Sequence, residues 1–283
     1  MENGAEVVVK NESLSPFSGR NAFAHVEYMV SLGPRSIGSD ALAETREYIG
    51  GYLRDLGLDV KVDRFQAQYL NEIYEMANVI GVIPGEGEGP VIAIGGHYDT
   101  KEIPGANDGG SSAGLLLEMA RALSDQSLDH TVWIIFFDGE DTGDSPDTMF
   151  YGSRHLADSL EARDELPGCL IVPDMIGDRR LRIARDGNSD GALSDRIWSK
   201  AEEIGYGRHF TDGRIMVLDD HIPFMAAGVP SCVLIDFEYG PLNSYWHTEN
   251  DDLSKIDERS LKAVGDVIYS VVLDMDTGKI PIR

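Results

Sequence analysis

The chain has 283 residues, 42% of them hydrophobic and 26% charged, with a formal net charge of −25 and a pI near 4.5. This balance supports a sizeable core, excludes a disordered or fibrous chain, and lacks the basic stripe that nucleic-acid binding requires. Two cysteines, Cys169 and Cys232, are too few for a disulfide framework, and no segment is apolar for long enough to span a membrane. Most of the acids serve solubility, but the balance also suits a cationic ligand such as a metal ion or a peptide amine. The opening MENGAEVVVKNESLSP has no secretory-signal pattern, and the sequence leaves the compartment open.

In chain order, residues 1–20 read as a loosely held arm, and 21–283 as a single domain. Ser39 caps a predicted helix, SDALAETREYIGGYLRDLGL, followed by the strands LDVKVDRFQA and YEMANVIGVIPG and the turn GEGEGP. VIAIGG (91–96), TVWIIFF (131–137) and GCLIVP (168–173) are apolar throughout, as strands buried on both faces are. Between them lie the predicted helices SSAGLLLEMARALSD, with Ser111 or Ser112 as its cap, and SRHLADSLEARD. The helices DGALSDRIWSKAEEIG and DDHIPFMAAG, the strand SCVLIDF and a last helix, DERSLKAVGDVIYSVVLDM, complete the chain. The alternation predicts an α/β three-layer sandwich, with a mixed, mostly parallel sheet flanked by helices.

Ligands bind beyond the carboxyl ends of such strands. Here VIAIGG runs into His97-Tyr98-Asp99, TVWIIFF into Asp138-Gly139-Glu140-Asp141, and GCLIVP into Asp174. One polar turn after a strand is ordinary; three on the same edge indicate a site. Crowded carboxylates need a positive partner, and zinc accepts histidine nitrogen and carboxylate oxygen. The candidate ligands are His97, Asp99, Asp108, Glu140, Asp141, Asp174 and His247. Asp108 lies in the glycine-rich loop GANDGGSSAG, where the backbone can approach a ligand closely, and His247 in the polar loop SYWHTENDD. His25, His130 and His209 are isolated and are expected at the surface.

GGHYDTK, PGANDGGSSAG, FFDGED, YGSRHLA, DMIG, DDHIPF, AAGVP and YWHTENDD occur in that order. As a set they resemble the glutaminyl-peptide cyclotransferases and the zinc aminopeptidases of the same fold, over roughly residues 20 to 275. The resemblance implies roles for matching positions. In a cyclase, one zinc would be held by Asp108, Asp141 and His247, Glu140 would shuttle protons, and Asp174 and Asp219 would form a hydrogen-bonded acid pair beside the substrate. In an aminopeptidase, Asp108 would bridge two zincs, His97 and Asp174 would complete the second site, and Glu140 would be the general base. Many relatives carry glutamate where Asp141 stands, which reads as a shorter arm. Asp99 is expected to orient His97 or the metal loop, and Asp138 to serve structure. Trp246, Tyr245 and Phe237 are candidates for the substrate pocket, with packing as the plainer role for Tyr245 and Phe237.

Both reactions act on the free N-terminus of a peptide or protein. Cyclisation of N-terminal glutamine to pyroglutamate is favoured by YGSRHLA, DDHIPF, WHT and Asp219; hydrolysis of the first peptide bond is the alternative, supported by GANDGGSSAG and by His97 and Asp174. An inactive peptide- or metal-binding chain is a third reading, opposed by the retention of Glu140 with every metal position.

Overall fold

The computed structural model describes residues 14–282. In chain order its helices are α1 (Gly19–Ser31), α2 (Asp40–Asp55), α3 (Gly110–Ser124), α4 (Tyr151–Arg163), α5 (Gly191–Glu203), α6 (His221–Ala226) and α7 (Glu258–Asp276). Its strands are β1 (Asp59–Tyr69), β2 (Glu72–Ile83), β3 (Ile92–His97), β4 (Val132–Phe137), β5 (Cys169–Asp174), β6 (Ile183–Asp186), β7 (Phe210–Ile215) and β8 (Ser231–Ile235). They form one sheet in the order β1-β2-β4-β3-β5-β8-β6-β7. The four central strands, β4, β3, β5 and β8, run parallel, while β2 joins antiparallel to β4 and β6 antiparallel to β8.

The apolar runs are explained by burial on both faces. Successive side chains of a strand point to opposite sides, so Ile94, Ile134, Ile171 and Leu234 pack with α3, α5 and α7. Ala93, Ile135, Leu170, Val172 and Val233 pack on the other face with Leu156 and Leu160 of α4 and Phe224 of α6. The result is the predicted three-layer sandwich. After β3 the chain passes through α3 to β4, and then returns to β5 on the other flank of β3. That reversal opens a crevice at the carboxyl ends of β3 and β5, where parallel sheets bind ligands.

Several sequence expectations change. Residues 1–13 of the predicted arm lie outside the described residues, but 14–20 are not loose. Phe17 is only 2% exposed and fills the space above Gly265, where an added Cβ would lie 2.2 Å from its ring. The Ser15 hydroxyl bonds Asp266, and the Ser18 amide donates to Glu118 at 2.8 Å. Helix α1 was not predicted; its buried Ala22, Val26 and Met29 are the spacing that reveals it. Strands β6 and β7 were also missed, being short and half-exposed with no apolar run. His25, expected at the surface, is buried on α1, its Nδ1 2.6 Å from the Tyr48 hydroxyl, and burial pushes its pKa down to about 4. Neither serine caps α3. The N-cap is Gly109 at φ +71°, and the Ser111 and Ser112 hydroxyls donate instead to the carbonyls of Asn107 and Pro173. Cys169 and Cys232 are free, buried thiols on β5 and β8.

If Phe17 anchors the segment before α1, Phe17→Ala will lower unfolding free energy by about 3–4 kcal/mol in urea titration. Leu14→Ala, at a side chain 54% exposed, will stay within about 0.5 kcal/mol of wild type; equal small effects would mean that the segment is not tied to the core.

Candidate active site

The ends of β3, β4 and β5 deliver His97, Asp138 and Asp174 to one edge of the sheet. Three loops close on them: 105–109 before α3, 138–141 after β4, and 244–252. His97 Nε2 lies 3.2 Å from Asp174 Oδ1 and 3.3 Å from Asp108 Oδ1. His247 Nε2 lies 3.1 Å from Asp141 Oδ1 and 3.3 Å from Asp108 Oδ2. Asp108 therefore stands between the two histidines. The approach of its loop depends on Gly109, where a Cβ would sit 2.4 Å from the Asp99 carbonyl oxygen and 3.1 Å from the His97 ring.

His97, Asp108 and Asp141 each offer a ligand atom within 4.8 Å of the others. Buried Asp108 Oδ2 and Asp141 Oδ2 have no hydrogen-bond partner. Buried carboxylate oxygens are normally satisfied. Two orphaned ones between imidazoles are a donor set that fits zinc.

The acids differ in how they are held. Asp99 accepts the amides of Glu140 at 3.1 Å and Asp141 at 3.0 Å, so it orients the loop after β4. Asp138 accepts from Arg46 at 2.7 Å, the Ala77 amide at 2.8 Å and the Tyr98 hydroxyl at 3.1 Å. Asp251 accepts the amides of Asn107 at 2.8 Å and Asp108 at 3.0 Å, and the Tyr239 hydroxyl at 2.7 Å. Lys101 donates to the carbonyl of Gly143 at 2.7 Å and to Asp144 at 2.9 Å, pinning the far end of the same loop.

Behind the site lies Arg35, wholly buried, donating to the carbonyls of Tyr98, Pro104 and Gly105. Burial draws its pKa down to about 10, against the upward pull of Asp251, Asp99, Asp108 and Asp141. Arg35 and Asp251 were missed by sequence reasoning. Asp251 was visible as an acid inside YWHTENDD, whereas nothing in the turn LGPRSIGSD marks Arg35 as buried.

Burial, reinforced by Asp141, raises the Glu140 carboxyl well above the usual range. Burial likewise lifts Asp174 to about 6, and burial with the charge of Asp174 lifts Asp219 to about 7. Burial also opposes ionisation of Asp108, but the two histidines beside it, His247 and His97, outweigh it and hold that carboxyl below the usual range.

Glu140, Asp141, Asp174, Asp219, Trp246 and His247 face a cavity of about 300 Å³, which Phe237 also lines. Trp246 stacks on His247 with ring centroids 3.9 Å apart and meets Phe237 edge-on at 5.0 Å. Two expectations fail. Tyr245 does not line this cavity; the chain turns between it and Trp246, and its ring packs edge-on against Tyr239 and faces a second cavity. Among the described residues no hydrogen bond joins Asp174 to Asp219. His97 holds Asp174, while Asp219 accepts the amide of Asp220.

Residues 78–272 match peptidase family M28. The chain is 28% identical to the glutaminyl-peptide cyclotransferase of Bos taurus over 288 residues, covering 84% of this chain and 77% of the relative. The crystal structure of a glutaminyl cyclase from an Acidobacteriales bacterium superposes with a TM-score of 0.88 at 31% identity, covering 98% of this chain and 99% of the other. A zinc-dependent exopeptidase from Parabacteroides distasonis superposes with a TM-score of 0.85 at 27% identity, covering 90% and 98%.

The position of Arg35 generates a stability test. Arg35→Met will cost about 3–5 kcal/mol in urea unfolding, since it removes a buried positive charge from beside carboxylates and strips three carbonyls of their donor. A change below about 1 kcal/mol would show that the acids do not depend on it.

Proposed function

The chain belongs to peptidase family M28, and we propose that it cyclises the N-terminal glutamine of peptides to pyroglutamate with release of ammonia. The observation that carries this reading is the single small cavity in which Glu140, Asp219 and Trp246 meet, in a chain that resembles glutaminyl cyclases over nearly its whole length.

Asp108, Asp141 and His247 would hold one zinc ion. When bound, it polarises the γ-amide carbonyl of the substrate glutamine. Glu140 binds no metal in this assignment and keeps its carboxylate for protons. It takes a proton from the peptide's α-amine, whose nitrogen attacks the carbonyl carbon of the side-chain amide. It returns that proton to the amide nitrogen, which leaves as ammonia while the lactam closes. A carboxyl with a raised pKa suits both halves of this exchange near neutrality. Asp174 and Asp219 place negative charge on the cavity wall and orient the N-terminal amine, while Trp246 and Phe237 confine the glutamine side chain and exclude water.

Aminopeptidase activity is the second reading, supported by His97, whose Nε2 is almost equidistant from Asp174 and Asp108. In that reading Asp108 would serve two zinc sites, His97 and Asp174 would complete the second, and Glu140 would take the proton of the attacking water.

Protein purified without added metal will contain about one zinc per chain, removable by a chelator with loss of activity. A glutaminyl peptide will yield pyroglutamate and ammonia, and leucyl and alanyl amides will be poor substrates. Two zincs together with fast release of leucine would reverse the order of the two readings, and turnover of neither substrate with zinc loaded would support an inactive, binding chain. Glu140→Gln will lower kcat by about 10²–10⁴-fold with zinc retained; loss of zinc in that variant would mean that Glu140, and not Asp141, is the ligand.

A further inference from the structure

A second cavity, of about 760 Å³, adjoins the first and shares Phe237 with it. The chain also crosses from one to the other between Trp246 and Tyr245. Arg179, Arg180, Arg182 and Lys255 all line the second cavity. They stand together in a chain with 24 basic and 49 acidic side chains.

Part of this charge is offset, since Lys255 pairs with Asp252 at 3.2 Å and Asp178 lies close enough to feel Arg180. Asp178 accepts the amide of Arg180 at 2.9 Å, and Asp236 accepts the amides of Arg182 at 2.7 Å and Glu238 at 3.1 Å. Both are committed to the backbone. The Arg180 guanidinium is exposed and makes no hydrogen bond or ion pair among the described residues. Arg182 faces only Glu238, at 3.9 Å, with both side chains mostly exposed, a pair of little worth.

The floor is rigid. The Gly177 amide donates to Asn107 Oδ1 at 2.7 Å, the Arg179 amide to the Lys255 carbonyl at 3.1 Å, and Asp178 pairs with Ile256 as a β-bridge. On the rim, Leu242 and Asn243 both hold positive φ and leave the Leu242 side chain fully exposed. Non-glycine residues in that region persist where the surroundings enforce them.

We propose that this cavity receives the peptide residues that follow the N-terminal one, and that Arg180 and Arg182 select substrates with acidic side chains there. The assignment rests on the reading that the peptide's N-terminus lies at Glu140. Because the guanidinium groups are exposed, the selection is modest and sensitive to salt.

Two glutaminyl peptides test it, identical except that the third and fourth residues are alanine in one and glutamate in the other. The acidic peptide will show a KM about fivefold lower at similar kcat. The double variant Arg180→Ala/Arg182→Ala will abolish that difference and leave the neutral peptide within about twofold of wild type. Salt at about 1 M, where the Debye length is about 3 Å, will erase it as well. Calorimetric binding of both peptides to the Glu140→Gln variant reads the same preference without turnover. Preferential binding to the variant, together with no pyroglutamate from either peptide with the zinc-loaded wild-type chain, would overturn the cyclase reading and support the groove. Cyclisation of both peptides with equal KM, or a preference that survives the double variant, would overturn the groove alone.

Discussion

The site depends on keeping a crowd of carboxylates ionisable in a place where water is scarce. Asp99, Asp108, Asp138, Glu140, Asp141, Asp174, Asp219 and Asp251 are all buried around the same strand ends. Left unpaired, such charges would neutralise or unfold the edge of the sheet. The protein answers in two ways. Asp99 and Asp251 accept backbone amides and the Tyr239 hydroxyl, and Asp138 gathers Arg46, the Ala77 amide and the Tyr98 hydroxyl on its Oδ2 while its Oδ1 has no partner, with the Arg35 guanidinium behind them. Asp108 and Asp141 each keep an oxygen without a hydrogen bond. The first group builds the frame, and the second is left for a cation.

Much of this division was legible in the sequence. The apolar runs 91–96, 131–137 and 168–173 had to be strands covered on both faces, and their polar ends had to converge because parallel neighbours share one carboxyl edge. His97, Asp99, Glu140, Asp141 and Asp174 follow from that, while Asp108 and His247 came from a glycine-rich and a polar loop, and the roles from the resemblance. Arg35 was not legible, because a buried arginine is recognised by the carbonyls that surround it, and those of Tyr98, Pro104 and Gly105 come from a loop 63 to 70 residues further on. Tyr245 misled for a related reason. It is adjacent to Trp246 and His247 in sequence, but neighbours in an irregular loop face different ways. Strands β6 and β7 lack the apolar runs that revealed the central strands, since they pair at the rim and bury little.

Asp108 is common to both proposed metal arrangements. Its two oxygens face different histidines, Oδ1 towards His97 and Oδ2 towards His247. Its backbone amide donates to Asp251 at 3.0 Å, which holds the residue between them. In the proposed cyclase, His97 and Asp174 remain bonded to each other, and that pair closes the second position with a hydrogen bond in place of an ion. In a two-zinc peptidase the same pair would have to separate around the metal. The difference between the two reactions thus lies in one contact between β3 and β5, while the Asp108, Asp141 and His247 side is common to both.

The loop carrying His247 links that metal position to the substrate wall. His247 adopts φ +55°, an uncommon conformation for a residue with a side chain, and Trp246 lies flat against its ring. The Asp251 amide donates to the Thr248 carbonyl at 3.0 Å, and the Asp251 carboxylate grips the loop that carries Asp108. Trp246, His247 and Asp108 are therefore held as one unit. A change that moves the indole moves a metal-facing imidazole with it, so the fit of the substrate side chain and the geometry of the metal ligands are not independent. For a reaction in which a small side chain must fold back on its own amine, that coupling is useful, because the wall that folds the substrate is fixed to the group that would hold the polarising ion.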